Sequence, residues 1–155
     1  MKKTLLAAFC LVVILSLMSC RKLPDYHEVS IYDDCEWQNE KIAVFRAEYP
    51  RFNGEIYQSL NSVIEKETEE WRQVYDEICE KAKSECEKSS EFAKLGCYVT
   101  VDYVVSSQNG ETSVTFDVHY FGGGNSEPHY TKTFTYDEQN NMIYETYSET
   151  TRVYE

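Results

Sequence analysis

The chain reads as an α+β fold: one long amphipathic helix packed on an antiparallel sheet, a meander of about four to five strands. Three observations predict it. Between residues 55 and 88 the apolar positions Ile56, Leu60, Val63, Ile64, Trp71, Val74, Tyr75, Ile78, Ala82 and Cys86 recur at helical spacing. Residues 97–105 and 114–120 alternate apolar and polar with period two on either side of Asn109-Gly110, a pair suited to a two-residue type I′ hairpin. No repeat or low-complexity segment divides the 155 residues, so one domain is expected.

At the N-terminus, Lys2 and Lys3 precede an apolar run over residues 5–17, too short to span a bilayer comfortably. The run ends in Leu17-Met18-Ser19-Cys20, which has the form of a bacterial lipobox and is followed directly by the polar Arg21-Lys22. Residues 1–19 are therefore expected to be a lipoprotein signal peptide, 20–28 a tether lipidated at Cys20, and 29–155 the single folded domain. Several acyl chains on Cys20, palmitate among them, would hold the domain at a membrane, because each buried methylene contributes about 0.8 kcal/mol and one chain alone is marginal. The expected location is the bacterial cell envelope: the outer membrane of a diderm cell, favoured by the lack of Asp after Cys20, or else the outer face of the cell membrane.

Removing residues 1–19 takes away Lys2 and Lys3, leaving 13 basic against 27 acidic residues and a net charge of about −14. Such a surface excludes nucleic acid as a partner, since a phosphate backbone demands basic groups. Its field would steer in a cationic protein or peptide, although acidity for solubility alone gives the same composition. Four cysteines remain for an oxidising compartment: Cys35, Cys79, Cys86 and Cys97. Cys79 and Cys86 lie seven apart on the helix, about 10 Å between α-carbons and beyond disulfide reach. Cys35 with Cys79, and Cys86 with Cys97, is the favoured pairing.

Residues 29–32 and 41–47 look like strands separated by a polar segment, and Tyr49-Pro50-Arg51-Phe52-Asn53-Gly54 reads as a turn in which Asn53 or a neighbour caps the helix. On the helix, Glu65, Glu67, Glu69, Glu70, Asp76, Glu77 and Glu80 fill the side expected to face water. A loop at Asn109-Gly110 pairs positions whose numbers sum to 219. Val105 then faces Val114, Tyr103 faces Phe116, Val101 faces Val118 and Val99 faces Tyr120, so every core position meets another. Closing the next hairpin around residues 122–128 sets Tyr120 opposite Tyr130 and Phe116 opposite Phe134, with a further strand at residues 142–147 after an Asp137–Asn141 turn.

The same register sets Asp102 opposite Asp117 and Thr100 opposite His119 on the other face. Like charges directly opposed are unfavourable, so something should relieve them. Two readings stay open: a shallow cation or ligand site of Asp102, Asp117 and His119, and a polar face screened by water, salt or a neighbouring Lys. The Gly122-Gly123-Gly124-Asn125 loop also has two, a flexible hairpin loop or a recognition loop, because glycine permits positive φ and close approach by another backbone. His129 beside Pro128 is read as a rim residue. With no Gly-x-Ser-x-Gly, His-Glu-x-x-His or phosphate loop, no catalytic residue, metal or cofactor is expected and the chain is read as a non-enzyme.

Tyr49-Pro50, the helical Leu60-Asn61-Ser62-Val63-Ile64, Ser113-Val114-Thr115-Phe116 leading into Tyr120-Phe121-Gly122-Gly123-Gly124-Asn125, and Thr133-Phe134-Thr135-Tyr136-Asp137 together resemble the PdaC/RsiV-like extracellular domain. This domain of largely unknown function occurs in envelope lipoproteins, ahead of the catalytic part of a peptidoglycan deacetylase, and as the lysozyme-binding ectodomain of an anti-sigma factor. The resemblance covers residues 41–147 and implies binding rather than catalysis. The family's Gly-Gly-Ala-His reads Gly122-Gly123-Gly124-Asn125 here, so any role of that His does not transfer, and the chain ends at Glu155, short of the family's following segment. The expected function is a binding module for an envelope protein, a lysozyme-like cationic protein or a cell-wall component. The alternatives are an enzyme on cell-wall glycan using Asp102, Asp117 and His119, and a structural lipoprotein without a specific ligand.

Overall fold

The structure, a computed structural model, describes residues 23–154. The expected signal peptide and the acylated Cys20 lie outside the described residues. Six strands form one sheet in the order β1 (Tyr26–Trp37), β2 (Glu40–Phe52), β3 (Cys97–Gln108), β4 (Glu111–Phe121), β5 (Ser126–Tyr136) and β6 (Met142–Val153). The helix α1 (Gln58–Lys88), entered through a 3-10 turn at Glu55–Tyr57, crosses between β2 and β3. Neighbouring strands are antiparallel except β2 and β3, which are parallel over Ala43–Ala47 and Cys97–Val101 because the crossover brings the chain back in the same direction. The fold is thus α+β with one long helix as expected, but the sheet has six strands rather than four to five, and the parallel β2–β3 pair makes it mostly antiparallel rather than a simple meander. No helix among the described residues is long and apolar enough to cross a membrane.

The N-terminal strands run longer than the alternation suggests. β1 begins at Tyr26, inside the segment expected to be tether, and ends in a two-residue turn where Gln38 and Asn39 both take positive φ (51° and 68°). β2 continues through Tyr49-Pro50 to Phe52, where a turn was expected. Pro50 is tolerated there because β2 has already left its pairing with β3, so the missing N–H breaks no bond on that side. Asn53 does not cap the helix: its amide donates to Asp25, and the first turn has no side-chain cap. Asn61 does the anchoring instead. Its carboxamide accepts from the Phe52 N–H and donates to the Phe52 carbonyl, both at 2.9 Å, locking the first helical turns to the end of β2.

The helix buries Leu60, Ile64, Tyr75, Ile78, Ala82 and Cys86 against Phe45, Ala47, Val99, Val101, Val114, Phe116 and Val118 of the sheet. Each such side chain contributes about 1.5–3 kcal/mol when taken fully out of water. Glu67 departs from the expected solvated face. It is buried, accepts from Trp71 Nε1 at 3.0 Å and pairs with Lys132 Nζ at 2.6 Å.

Cys35 and Cys79 form the expected disulfide, with α-carbons 6.0 Å apart, tying β1 to the helix. The second expected bridge is not formed. Cys86 and Cys97 are buried free thiols in the seam between the end of the helix and the start of β3, where they pack as small apolar groups and burial pushes both thiols up.

Candidate functional site

The β3–β4 hairpin has the expected register in full: Val105, Tyr103, Val101 and Val99 face Val114, Phe116, Val118 and Tyr120 across a turn in which Asn109 and Gly110 both take positive φ. The buried residues point to the helix, so Asp117 and His119 project from the opposite face. There Asp102 lies opposite Asp117, and Thr100 lies opposite His119.

The next pairing differs from expectation by two residues. Tyr130 lies opposite Val118 and Phe134 opposite Val114, rather than opposite Tyr120 and Phe116. A shift of two preserves which face each side chain takes but changes its neighbour. Tyr120 and Tyr130 still meet diagonally, with parallel rings 5.8 Å apart, and both pack on Trp71 of the helix. On the open face the same shift sets His129 opposite His119.

His129 is consequently part of the site rather than a rim residue. Its Nε2 hydrogen-bonds Asp117 Oδ1, while His119 Nε2 lies 3.8 Å from that same oxygen. The two imidazoles stack with centroids 4.0 Å apart and planes 7° from parallel. One donor atom from each of Asp117, His119 and His129 lies within 4.8 Å of the others. Thr150 of β6 stands opposite His129, its hydroxyl 3.4 Å from Nδ1. Asp102 is exposed and outside this group; its field instead contributes to holding the nearby Arg46 guanidinium protonated, behind the larger effect of Glu48.

The glycine loop divides. Gly123 takes φ +78°, and a β-carbon there would overlap the ring of Phe92, which fills the space expected to admit another backbone. Gly122 has Ile78 beside it, whereas Gly124 and Asn125 are exposed, with the Asn125 carbonyl accepting from Tyr154 N–H at 2.8 Å. Beside the loop lies a shallow hollow of about 280 Å³ lined by Leu95, Tyr98, Phe121, Gly124, Glu127 and Tyr154. The hydroxyls of Tyr154 and Tyr98 donate to Glu127 and hold its carboxyl below the usual range, with Arg152 and His119 adding smaller effects. Burial and that bond push Tyr98 up to about 12.

At the sheet's edge, β6 is exposed along its whole length. Met142, Ile143, Tyr144, Tyr147 and Val153 of this strand, with Tyr154 just beyond it, make up six of the eleven exposed large hydrophobic residues among the described residues, which makes this edge the principal apolar surface described.

Helix, sheet and site define a small α+β domain with a helix-covered face and an open polar face. A DUF3298 family protein from Pseudomonas aeruginosa PAO1, of known crystal structure, shares the fold with a TM-score of 0.50 at 13% identity over 79% of this chain. The chain spans 56% of that protein's length. No family model and no curated protein matches the sequence.

Proposed function

We propose that this is a membrane-anchored envelope lipoprotein of the PdaC/RsiV-like kind, whose domain binds a partner protein and performs no catalysis. The observation that carries the reading is β6. It is the last strand of the sheet order, fully exposed, and among the described residues it carries five large apolar side chains left in water, Met142, Ile143, Tyr144, Tyr147 and Val153. An edge strand offers a row of main-chain donors and acceptors to which a partner segment can add, while its alternating side chains supply specificity. Glu145 and Glu149 lie on this strand, and the charge of about −14 gives a field that favours a cationic partner. A lysozyme-like protein fits that charge and the family resemblance; a cell-wall component is the wider class.

The test is capture of the whole chain, in detergent micelles, on immobilised lysozyme. Retention at low ionic strength that weakens as salt rises is expected, with loss of retention when Ile143 and Tyr147 are both changed to Lys. No retention at low salt removes lysozyme as the partner. A new product from peptidoglycan incubated with the chain would move the reading to the glycan-acting enzyme.

A further inference from the structure

We infer that Asp117, His119 and His129 form a binding site for one divalent transition-metal ion, of the Zn²⁺ class, on the open face of the sheet. The inference is independent of the partner proposed above. Two features of the backbone build the site. Asp117 and His119 are two apart on β4 and so share a face, and the β4–β5 register puts His129 directly across from His119 and diagonal to Asp117. Three donors are brought together by two neighbouring interior strands.

The distances suit a single ion. All three donor atoms lie within 4.8 Å of one another, and His119 Nε2 is 3.8 Å from the carboxylate oxygen that His129 already contacts. Ligands about 2.1 Å from a tetrahedral ion stand about 3.4 Å apart, so small side-chain rotations converge them without moving the strands. Two imidazoles and one carboxylate form a nitrogen-rich, borderline set that suits Zn²⁺, Co²⁺, Ni²⁺ or Cu²⁺, whereas Ca²⁺ and Mg²⁺ prefer all-oxygen shells.

The surroundings support the same occupant. Thr150 Oγ1 lies 3.4 Å from His129 Nδ1, where it can orient the ring from the side away from the ion and keep Nε2 turned toward Asp117, between which the ion would sit. Asp102 stands across from Asp117, an opposition that is unfavourable for two bare carboxylates and is relieved by a cation on Asp117. The side chains of the three ligands are 36–48% exposed, so at least one coordination position would open to water or to a donor from another molecule.

The experiment titrates the whole chain, in detergent and stripped by a chelator, with Zn²⁺ in competition with a chromophoric chelator, and with Co²⁺ for its visible spectrum. One equivalent is expected to bind. His119→Asn and His129→Asn should each weaken binding at least about 10-fold and abolish the Co²⁺ band, with circular dichroism unchanged. Asp102→Asn should alter affinity by less than about 3-fold, since that residue contributes charge and no ligand. Affinity should fall on acidification because imidazole ligates only when neutral. Absence of saturable binding would overturn the proposal. So would binding of several equivalents unaffected by either His change, which would place the ions on general surface carboxylates. A loss at Asp102→Asn as large as at the histidines would overturn the three-residue assignment.

Discussion

At one edge of the sheet β1 is tied to the helix by the Cys35–Cys79 bridge and by Arg72, whose Nη2 lies 2.8 Å from Asp33 Oδ2; at the other, β6 lies along β5 and leaves all twelve of its residues exposed. The contrast separates two tasks. The β1 side is where a small domain is held closed, and the β6 side is where its backbone and apolar side chains are left available. Lys132 of β5 links the two regimes, paired with buried Glu67 at 2.6 Å and reaching Glu145 of β6 at 3.2 Å.

Breaking the β1 side should produce the largest loss. Opening the bridge with Cys35→Ser and Cys79→Ser frees a loop of 44 residues, which chain entropy values at about 4 kcal/mol. Urea unfolding should show that drop in stability, and an unchanged midpoint would mean that the bridge does not hold this edge. Next comes the link. Lys132→Ala strands the buried Glu67 carboxylate and should cost about 3 kcal/mol by the same measurement, largely restored when Glu67→Gln is added. Burial opposes the charge on Lys132, but Glu67 and Glu145 outweigh it and raise its pKa, so its contribution is complete below the unfolded value near 10.4 and is lost as pH rises through the folded one.

The smallest effect belongs to the turn that launches β6. The Asp137 carboxylate accepts from the Asn141 side chain and from the backbone N–H groups of Asn141 and Gln139, at 2.8 and 3.0 Å for the latter two, and these bonds hold its pKa down. The turn is therefore supported above the unfolded carboxyl value near 3.9 and loosens as pH falls through the lower folded value. Amide exchange of Gln139 and Asn141 should quicken on that descent while β1 amides stay protected, and Asp137→Ala should reproduce the fast exchange at neutral pH.

The two halves of the molecule were also unequally legible from sequence. The β3–β4 hairpin could be read residue by residue, because a two-residue Asn109-Gly110 loop fixes the register and both strands alternate cleanly over a buried face. The glycine-rich loop after Phe121 has no such fixed length. Alternation determines which face β5 presents but not its offset, so the sequence puts Asp117 and His119 on the open face but leaves His129, two residues out of step, at the rim. Its parity with His119 and Asp117 was the available signal. The extension of β1 is hidden because an edge strand tolerates polar residues, and that of β2 because Pro50 reads as a turn although it is buried beyond the stretch where β2 pairs with β3. Glu67 could not be told from its glutamate neighbours, apart from its i,i+4 relation to Trp71. The parallel pairing of β2 with β3 leaves no local trace, since it depends on where the helix returns the chain.

The difference between the edges is tested most directly by hydrogen–deuterium exchange of the whole chain in micelles at low salt, with and without saturating lysozyme. Slowed exchange concentrated in β6, residues 142–153, with β1 unchanged, is the predicted result. Protection that falls on β1 instead, or on neither edge, would contradict the assignment of β6 as the docking edge.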